Sequence, residues 1–524
     1  MKFSPDVNFE SFCDFCKNNI PLLVATAITL LFCYGINFFQ HSIGIDTEIF
    51  MLDKDDTIKW NIQIGRFGLA FLQLLLYAKG FNPFFDTLST FCLILLFTVS
   101  WAYTIAIFSK NIGKNNALIP FAIVFASSPT WAEQFYFIFQ STAIALMVLI
   151  CPYAIYILFK GFLNNEKIKV VFAFLLLLLM ISVYQAMIPF FCCGIFICFL
   201  LLYKTSDLES SAYRNLSLKI FATLIGAIIV YFLIDRTLIP FIFDIEKSQY
   251  LDGMNLWGEK SIKELIFRIF GFICIISGLI MPQLQDMMMS IIPNAETIKI
   301  MINKSKVFGN ILLLPIIALF IIKIVNAKRG FIYILTCVFI LLSVIFLAIL
   351  IGNIPPMRAT YVLPLALAFI FFFLIESCSK KTAIVVVIFA MFTIVHQVQT
   401  TAQLLYSDQL RYNEDVRLAY EIRNTIIQYE KTPVAIIGKY KVVDKFHAFF
   451  LQGEVIGHSF FEWGDTREIT LRSLAFMRTL GIQFDDPSDE QLEIAINEAK
   501  LMPSYPNYGY VKKNPDVIVV KLSE

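Results

Sequence analysis

Charge is scarce in this chain. Only 16% of its 524 residues are Asp, Glu, Lys or Arg, where a soluble globular domain carries about 25%. The net charge is +2, so no basic surplus points to a nucleic-acid partner. Histidine is scarcer still, at His41, His396, His447 and His458. Most of the cysteines (Cys33, Cys92, Cys151, Cys192, Cys193, Cys198, Cys274, Cys337) lie inside apolar segments, where they act as small core hydrophobes. No cysteine follows Thr400, and no disulfide framework is implied. Cys13-Asp14-Phe15-Cys16 spells C-x-x-C without a second ligand pair, whereas a structural zinc site takes four ligands; we read it as coincidence. Walker A, Rossmann glycine and nucleophile-elbow patterns are missing, so neither ATP hydrolysis nor a soluble nucleotide-binding site is supported. No internal repeat or low-complexity segment is evident.

What is abundant is apolar: 58% of the chain, with 54 Phe. Runs near the ~20 residues that cross a bilayer recur from Ile20 to about Thr400. This predicts a polytopic α-helical membrane protein in contact with the lipid bilayer. Pro21–Phe39 reads as a retained first span, because Gln40-His41-Ser42 offers no small-x-small cleavage site. Cations collect at Lys110/Lys114, Lys160/Lys167/Lys169, Lys204/Arg214/Lys219, Lys323/Lys328/Arg329 and Lys380/Lys381. Placing these clusters, with Lys2 and Lys17, in the cytoplasm yields spans at 20–40, 84–108, 117–133, 137–160, 168–184, 187–203, 216–240, 308–326, 331–354, 360–376 and 382–400. About eleven transmembrane helices leave the tail outside. Leu265–Met281 is apolar but would invert later loops, so it is expected to be re-entrant or surface-lying; as a full span it would put the tail inside.

Three regions follow: a cytoplasmic N-terminus (1–19), a membrane domain (20–400) with its first external loop at 41–83, and a small C-terminal extracytoplasmic α/β domain (401–524). In the last, "TPVAIIGKY" and "PDVIVVKL" read as buried strands. "DQLRYNEDVRLAYEIRNTII" and "PSDEQLEIAINEAKL" read as helices, the second with Ser488 as N-cap.

The densest acid cluster (Asp46, Glu48, Asp53, Asp55, Asp56) falls in the first external loop. Carboxylates beside a membrane must face water or bind something. Asp46 and Glu48 are two apart, which on extended backbone directs both to one side, where they can address one proton or one metal ion. Asp56 to Phe71 reads as an interfacial helix with Trp60, Ile64, Phe67 and Phe71 in one stripe. It carries Arg66 to headgroup depth, where a guanidinium suits phosphate. The bland reading is a solvated loop and a snorkelling Arg66. Other external turns hold Trp131, Glu133 and Gln140, then Tyr184 and Gln185, then Arg358 and Tyr361. Singly each suits a helix-end anchor; together they outline one polar pocket. His41 adjoins the acid loop, although a lone His is more often an ordinary loop residue.

The order of these motifs is specific: "DTE", "W-x5-RFG" (Trp60, Arg66, Phe67, Gly68), "SPTWAEQFYF", "SVYQA" and "R-x2-Y-x2-P" (Arg358, Tyr361, Pro364). It resembles the bacterial membrane glucosyltransferases of the serotype-converting, O-antigen-modifying type, over about the first 400 residues. The resemblance implies a GT-C-like glycosyltransferase in the cytoplasmic (inner) membrane of a bacterium. It would move a hexose, glucose by family, from a polyprenyl-phosphate sugar such as undecaprenyl-phosphate glucose to a surface glycan acceptor on the outer face. By that likeness Asp46 is the first choice of base and Glu48 the second. Arg66 and Arg358 bind phosphate. Glu133, Tyr184 and Gln185 line the sugar pocket, with Asp55, Asp56, Trp60, Gln140 and Tyr361 as further pocket candidates. Many relatives carry Asp-Asp in the first loop, so either Asp46–Glu48 or Asp55–Asp56 corresponds, and Phe67 stands where Trp is frequent. A divalent metal (Mg or Mn) on Asp46 and Glu48 is compatible with two acids, but a single-phosphate donor does not demand one. A base opposite the leaving phosphate implies inversion. The competing class is a transporter or flippase of lipid-linked sugar, which calls for midplane charges and inverted repeats. A membrane scaffold is a third reading and leaves the acid cluster unexplained.

Overall fold

The computed structural model describes residues 7–205, 210–248, 250, 252–280, 282–291, 295–327, 330–426, 432–446 and 449–524. Lys2, Met281, Lys328, Arg329 and His447, named above, lie outside these. The chain divides into two compact units. The first is Met1–Gly35, Lys59–Phe135 and Gln140–Thr401; the second is Ile36–Ile58, Tyr136–Phe139 and Ala402–Glu524.

The first unit is helical. Among the described residues six helices are long and apolar enough to cross a membrane, or up to eight if two bent pairs each count as one span. Three of them (Pro83–Phe108, Ile138–Leu163, Met187–Thr205) bury 72–78% of their apolar windows against other helices. The other three (Ser211–Phe243, Phe331–Ile351, Lys380–Ile426) bury only 22–28%. Their apolar faces therefore turn outward. On Lys380–Ile426, Ile384, Ile388, Met391 and Val395 form an exposed stripe at helical spacing. Water would not tolerate so much contiguous apolar surface, and a bilayer would. This is a membrane protein of the helical class.

Helix ends sort by chemistry. Lys167–Val183 begins at Lys167 and Lys169 and runs into Tyr184 and Gln185 at its other end. At 1.5 Å per residue that separation is about 25 Å. The Lys204 ammonium donates to Ser377 Oγ (2.8 Å) at the far end of the Val362–Ser377 helix from Tyr361. Lys110 Nζ donates to the Thr205 carbonyl (2.7 Å). Lysines thus gather at one end of these helices, and the tyrosine-bearing turns lie at the other.

Several elements differ from the sequence reading. The expected 117–133 span is two helices, Leu118–Ala126 and Pro129–Phe135, broken where Pro129 withholds a backbone N–H. The expected 56–71 helix is also two, Lys54–Gln63 and Phe67–Leu76. The break is Gly65, whose φ of +80° is glycine territory. Asp46 and Glu48 are not on extended backbone: Asp46 is left-handed (φ +68°) and caps the helix Thr47–Leu52. Ile262–Ser277 is a helix of 16 residues, about 24 Å long against a ~30 Å hydrocarbon core. The "DQLRY" stretch is no separate helix but continues Lys380–Ile426.

In the second unit three strands, β1 (Val434–Ile437), β2 (Val511–Lys513) and β3 (Ile518–Lys521), form a sheet in the order β1-β3-β2. β1 and β3 are parallel and β2 is antiparallel to β3. Both faces are buried, which explains the continuous apolar runs. Val434, Ile436, Ile518 and Val520 face one core with Leu418, Ile422 and Phe476. Ala435, Val517 and Val519 face another with Leu492 and Ala495. Ser488 caps Asp489–Ala499 in a capping box with Gln491, as its sequence indicates.

Candidate functional site

Each unit holds a polar cluster that brings together candidate residues of the sequence. In the first unit it centres on the turn at Gly65. Three consecutive-region carbonyls of this turn are capped from outside: Ile62 O by Lys247 Nζ (2.8 Å), Ile64 O by Gln185 Nε2 (3.1 Å) and Gly65 O by the Tyr231 hydroxyl (2.8 Å). Gln185 Nε2 also donates to Tyr231 Oη (3.0 Å). Lys247 is itself held by Asp235 (2.5 Å), which sits in the π-helical turn Ile234–Leu238. Such turns occur mostly as single turns inside α-helices, frequently at functional sites.

The held turn delivers Arg66. Its guanidinium carbon lies 4.5 Å from the Tyr184 ring centroid, a cation–π contact. Behind Tyr184 an aromatic stack continues: Tyr361 at 6.1 Å, then Trp131 parallel to Tyr361 at 5.6 Å, with Phe190 edge-on at 5.4 Å. Trp131 and Tyr361 are fully buried. The Nε of Arg66, the hydroxyl of Tyr361, Oε1 of Gln140 and both amide atoms of Gln134 are buried without a hydrogen-bond partner among the described residues. Each such group costs roughly 1–3 kcal/mol, so the unpartnered groups of Arg66 and Tyr361, on either side of Tyr184, are more than packing alone requires. The helix Pro129–Phe135 packs on the turn Met357–Ala359, which brings the Glu133 element beside the Arg358 element.

The sequence candidates therefore separate. Arg66 meets Tyr184, and Tyr184 meets Tyr361. Gln185 adjoins them, but its amide is spent on the Gly65 turn. Glu133 and Gln140 are buried and Arg358 half-buried nearby in the same unit. Trp60 is 43% exposed and stands edge-on to Tyr250 at 5.9 Å, with no contact to the aromatic stack. Asp55 and Asp56 are exposed in the first turn of Lys54–Gln63, where the backbone N–H of Asp56 donates to Asp53 Oδ1 (3.0 Å). Acids there suit the helix dipole.

In the second unit the cluster is Asp46, Glu48 and Arg472. One nitrogen, Nη1 of Arg472, reaches Asp46 Oδ1 at 2.8 Å and Glu48 Oε1 at 3.1 Å. Its Nε donates to Glu468 Oε1 (2.9 Å). The Glu48 side chain is completely buried, whereas that of Asp46 is 38% exposed. Burial, then the neighbouring Asp46 charge, push the Glu48 carboxyl up to about 8 against the pull of Arg472. Glu48 is thus the protonated member at neutral pH. Beside Arg472 opens a groove of about 590 Å³ between Ile49, Leu52, Asp53 and Asp56 on one side and Glu468, Leu471 and Arg478 on the other.

A metal on Asp46 and Glu48 does not fit this geometry. The Arg472 guanidinium occupies the bridging position, and no group of three His, Cys, Asp or Glu suited to a metal occurs among the described residues. Arg472 itself escaped the sequence reading. With Glu468 it forms an ordinary i,i+4 helix pair, and its partners lie more than 400 positions away. Tyr231 and Lys247 escaped for the same reason, as did Arg411. That fully buried guanidinium binds Asp408 (2.7 Å), Asp415 (3.2 Å), the Tyr136 hydroxyl (3.0 Å) and the Ile43 carbonyl (2.9 Å). It fastens three distant pieces of chain within the second unit.

No curated protein matches the chain. A family does: the model of Glucosyl transferase GtrII covers residues 35–375, well over half of the length, and this span contains Asp46, Glu48 and the whole Arg66–Tyr184–Tyr361 cluster. With those residues inside the matched stretch and helices fit to cross a bilayer, the chain belongs to the GtrII glucosyl transferase family, a family of glycosyltransferases.

Proposed function

We propose that the protein transfers glucose from a polyprenyl-phosphate donor, such as undecaprenyl-phosphate glucose, to a surface glycan on the outer face of the cytoplasmic membrane. In this GT-C-like reading about eleven crossings leave 401–524 outside as an α/β domain. The observation that carries it is Arg66 in its aromatic well, with a buried guanidinium N–H left unpartnered among the described residues, at the helix ends opposite Lys110, Lys167, Lys169 and Lys204. The positive-inside rule makes that end the outer one. A lipid-linked sugar phosphate needs a fixed cation at that depth and aromatic walls for the sugar, and Arg66, Tyr184 and Tyr361 supply both. Arg358 is the second phosphate ligand, and Glu133 and Gln140 bind sugar hydroxyls.

In the reaction an acceptor hydroxyl oxygen attacks C1 of the glucosyl group, and the bond from C1 to the phosphate oxygen breaks. Polyprenyl phosphate leaves with the electron pair, its charge stabilised by Arg66. The hydroxyl proton passes to the Asp46 carboxylate. One displacement from the opposite face inverts the anomeric centre. The roles of Asp46 and of Arg66 each rest on geometry inside their own unit.

Purified protein in liposomes, given synthetic undecaprenyl-phosphate glucose and membranes from cells lacking the gene, tests this. Arg66→Ala should raise the donor KM about 10-fold or more, the worth of one charge-assisted hydrogen bond. Asp46→Asn should lower kcat by about 10²–10⁴ while donor binding persists. Wild-type donor KM in the first variant removes the phosphate role, and full turnover in the second removes the base.

A further inference from the structure

Asp46 and Glu48 are near neighbours in sequence but not equivalent in space, and Arg472 is what makes them a pair. We propose that Arg472, contributed by the chain beyond the family-matched stretch, is a positioning residue: it bridges the two carboxyls so that Asp46 presents a free oxygen to the acceptor while Glu48 stays behind it as the buried anchor. This rests on the reading of Asp46 as base.

Four observations carry it. First, Arg472 Nη1 contacts Oδ1 of Asp46 and Oε1 of Glu48 at 2.8 and 3.1 Å, so one donor spans both acids. Second, only Asp46 is reachable: its side chain is 38% exposed and that of Glu48 is fully enclosed. A buried carboxyl cannot touch an acceptor hydroxyl, and a base must lie within hydrogen-bond distance of its proton. Third, Asp46 adopts a left-handed backbone (φ +68°) and caps its helix without using its side chain. Asp tolerates that conformation but does not favour it. The side chain, released from capping, goes to Arg472. Fourth, Arg472 also lines the 590 Å³ groove, so the guanidinium that holds Asp46 borders a space large enough for a sugar.

The charged groups around Arg472 are few enough to name. Asp46 and Glu48 face it from the Thr47–Leu52 element and Glu468 from its own helix. Around the groove stand Asp53, Asp56, Asp465, Arg467, Arg478 and Asp486. Arg478 is matched by Asp486 at 2.6 Å, and Arg467 pairs with Asp489. Among the described residues Arg472 is a cation in contact with both Asp46 and Glu48. The proton taken by Asp46 leaves to water after transfer, and Arg472 itself exchanges none, since a guanidinium stays protonated.

The test compares wild type, Arg472→Ala, Arg472→Lys and Asp46→Asn as full chains in liposomes with synthetic undecaprenyl-phosphate glucose and gene-deleted membranes. Turnover is followed as a function of donor concentration, and melting in detergent is followed in parallel. Arg472→Ala should lower kcat about 10–100-fold and leave the donor KM within about 3-fold. Arg472→Lys keeps the charge but not the fork; it should recover part of kcat. If Arg472→Ala raises the donor KM in step with the loss of kcat, or Arg472→Lys recovers none of it, Arg472 is merely structural and the proposal falls. If Asp46→Asn turns over normally, the base assignment itself has failed, whatever Arg472 does. Should Arg472→Ala not fold, the Arg472→Lys variant decides alone: a donor KM that moves with kcat overturns the proposal.

Discussion

At the residue scale, the informative groups are those that physical chemistry would rather not bury. Glu48 is one. Its carboxyl, ordinarily near 4.5, is pushed up to about 8 by burial and by Asp46. Between these values the folded unit keeps a proton that the unfolded chain has released. Stability from this group is thus complete at acid pH and declines as pH rises toward 8. Glu48→Gln, which cannot ionise, should flatten that decline: melting in detergent should match wild type near pH 5 and exceed it near pH 9. An unchanged pH slope would mean that Glu48 is ionised in the folded protein. Arg411 shows the complementary case. It is as buried as Glu48, but its guanidinium donates to buried acids, a hydroxyl and a carbonyl, so it stays charged and acts as a clamp. The burial of neither residue shows in the sequence, because burial is not a local property.

At the element scale, breaks matter more than helices. The stripe Trp60, Ile64, Phe67 has correct helical spacing, and periodicity alone therefore joins what Gly65 separates. The break has a purpose in space. It frees the carbonyls of Ile62, Ile64 and Gly65 to be capped by Lys247, Gln185 and Tyr231, and so aims Arg66 at Tyr184. A Cβ at position 65 would sit 2.6 Å from the Tyr231 hydroxyl and 3.2 Å from Gln185 Nε2, on a backbone with positive φ. Gly65→Ala should cost about 1–3 kcal/mol of stability and raise the donor KM as Arg66 moves. Thermal melting and donor titration measure the two separately, and an unaltered KM would show that Arg66 does not depend on this turn. The Pro129 break acts similarly, setting the Glu133 helix against the Arg358 turn.

At the scale of the whole molecule, the two units obey different rules. The first is covered by apolar faces, and the second by charge around a small sheet buried on both sides. Lysines at one set of helix ends and the Arg66 cluster at the other give the first unit a polarity that a membrane would read. Our topology puts residues 401–524 outside. Asn507 is exposed on that stretch, which carries no native cysteine. Asn507→Cys should react with a membrane-impermeant maleimide in intact cells, above the wild-type background. Protection until the cells are opened would place the tail inside and make the Ile262–Ser277 region a crossing.

Hydropathy sufficed for the membrane class, because the cost of burying charge in lipid is paid residue by residue and leaves a mark in composition. Motif order sufficed for the family, and strand and cap signals in the tail suited the elements found there, since turns and caps are local. The extended pairing of Asp46 with Glu48 and the unbroken 56–71 helix were misread, because periodicity does not register a single left-handed residue. The partners of each charge were decided only by tertiary structure. Arg472 meets Asp46 and Glu48, Tyr231 meets Gly65, and Arg411 meets Tyr136 across hundreds of residues. Such pairings depend on which chain segments pack together, and spacing along the sequence carries no record of it.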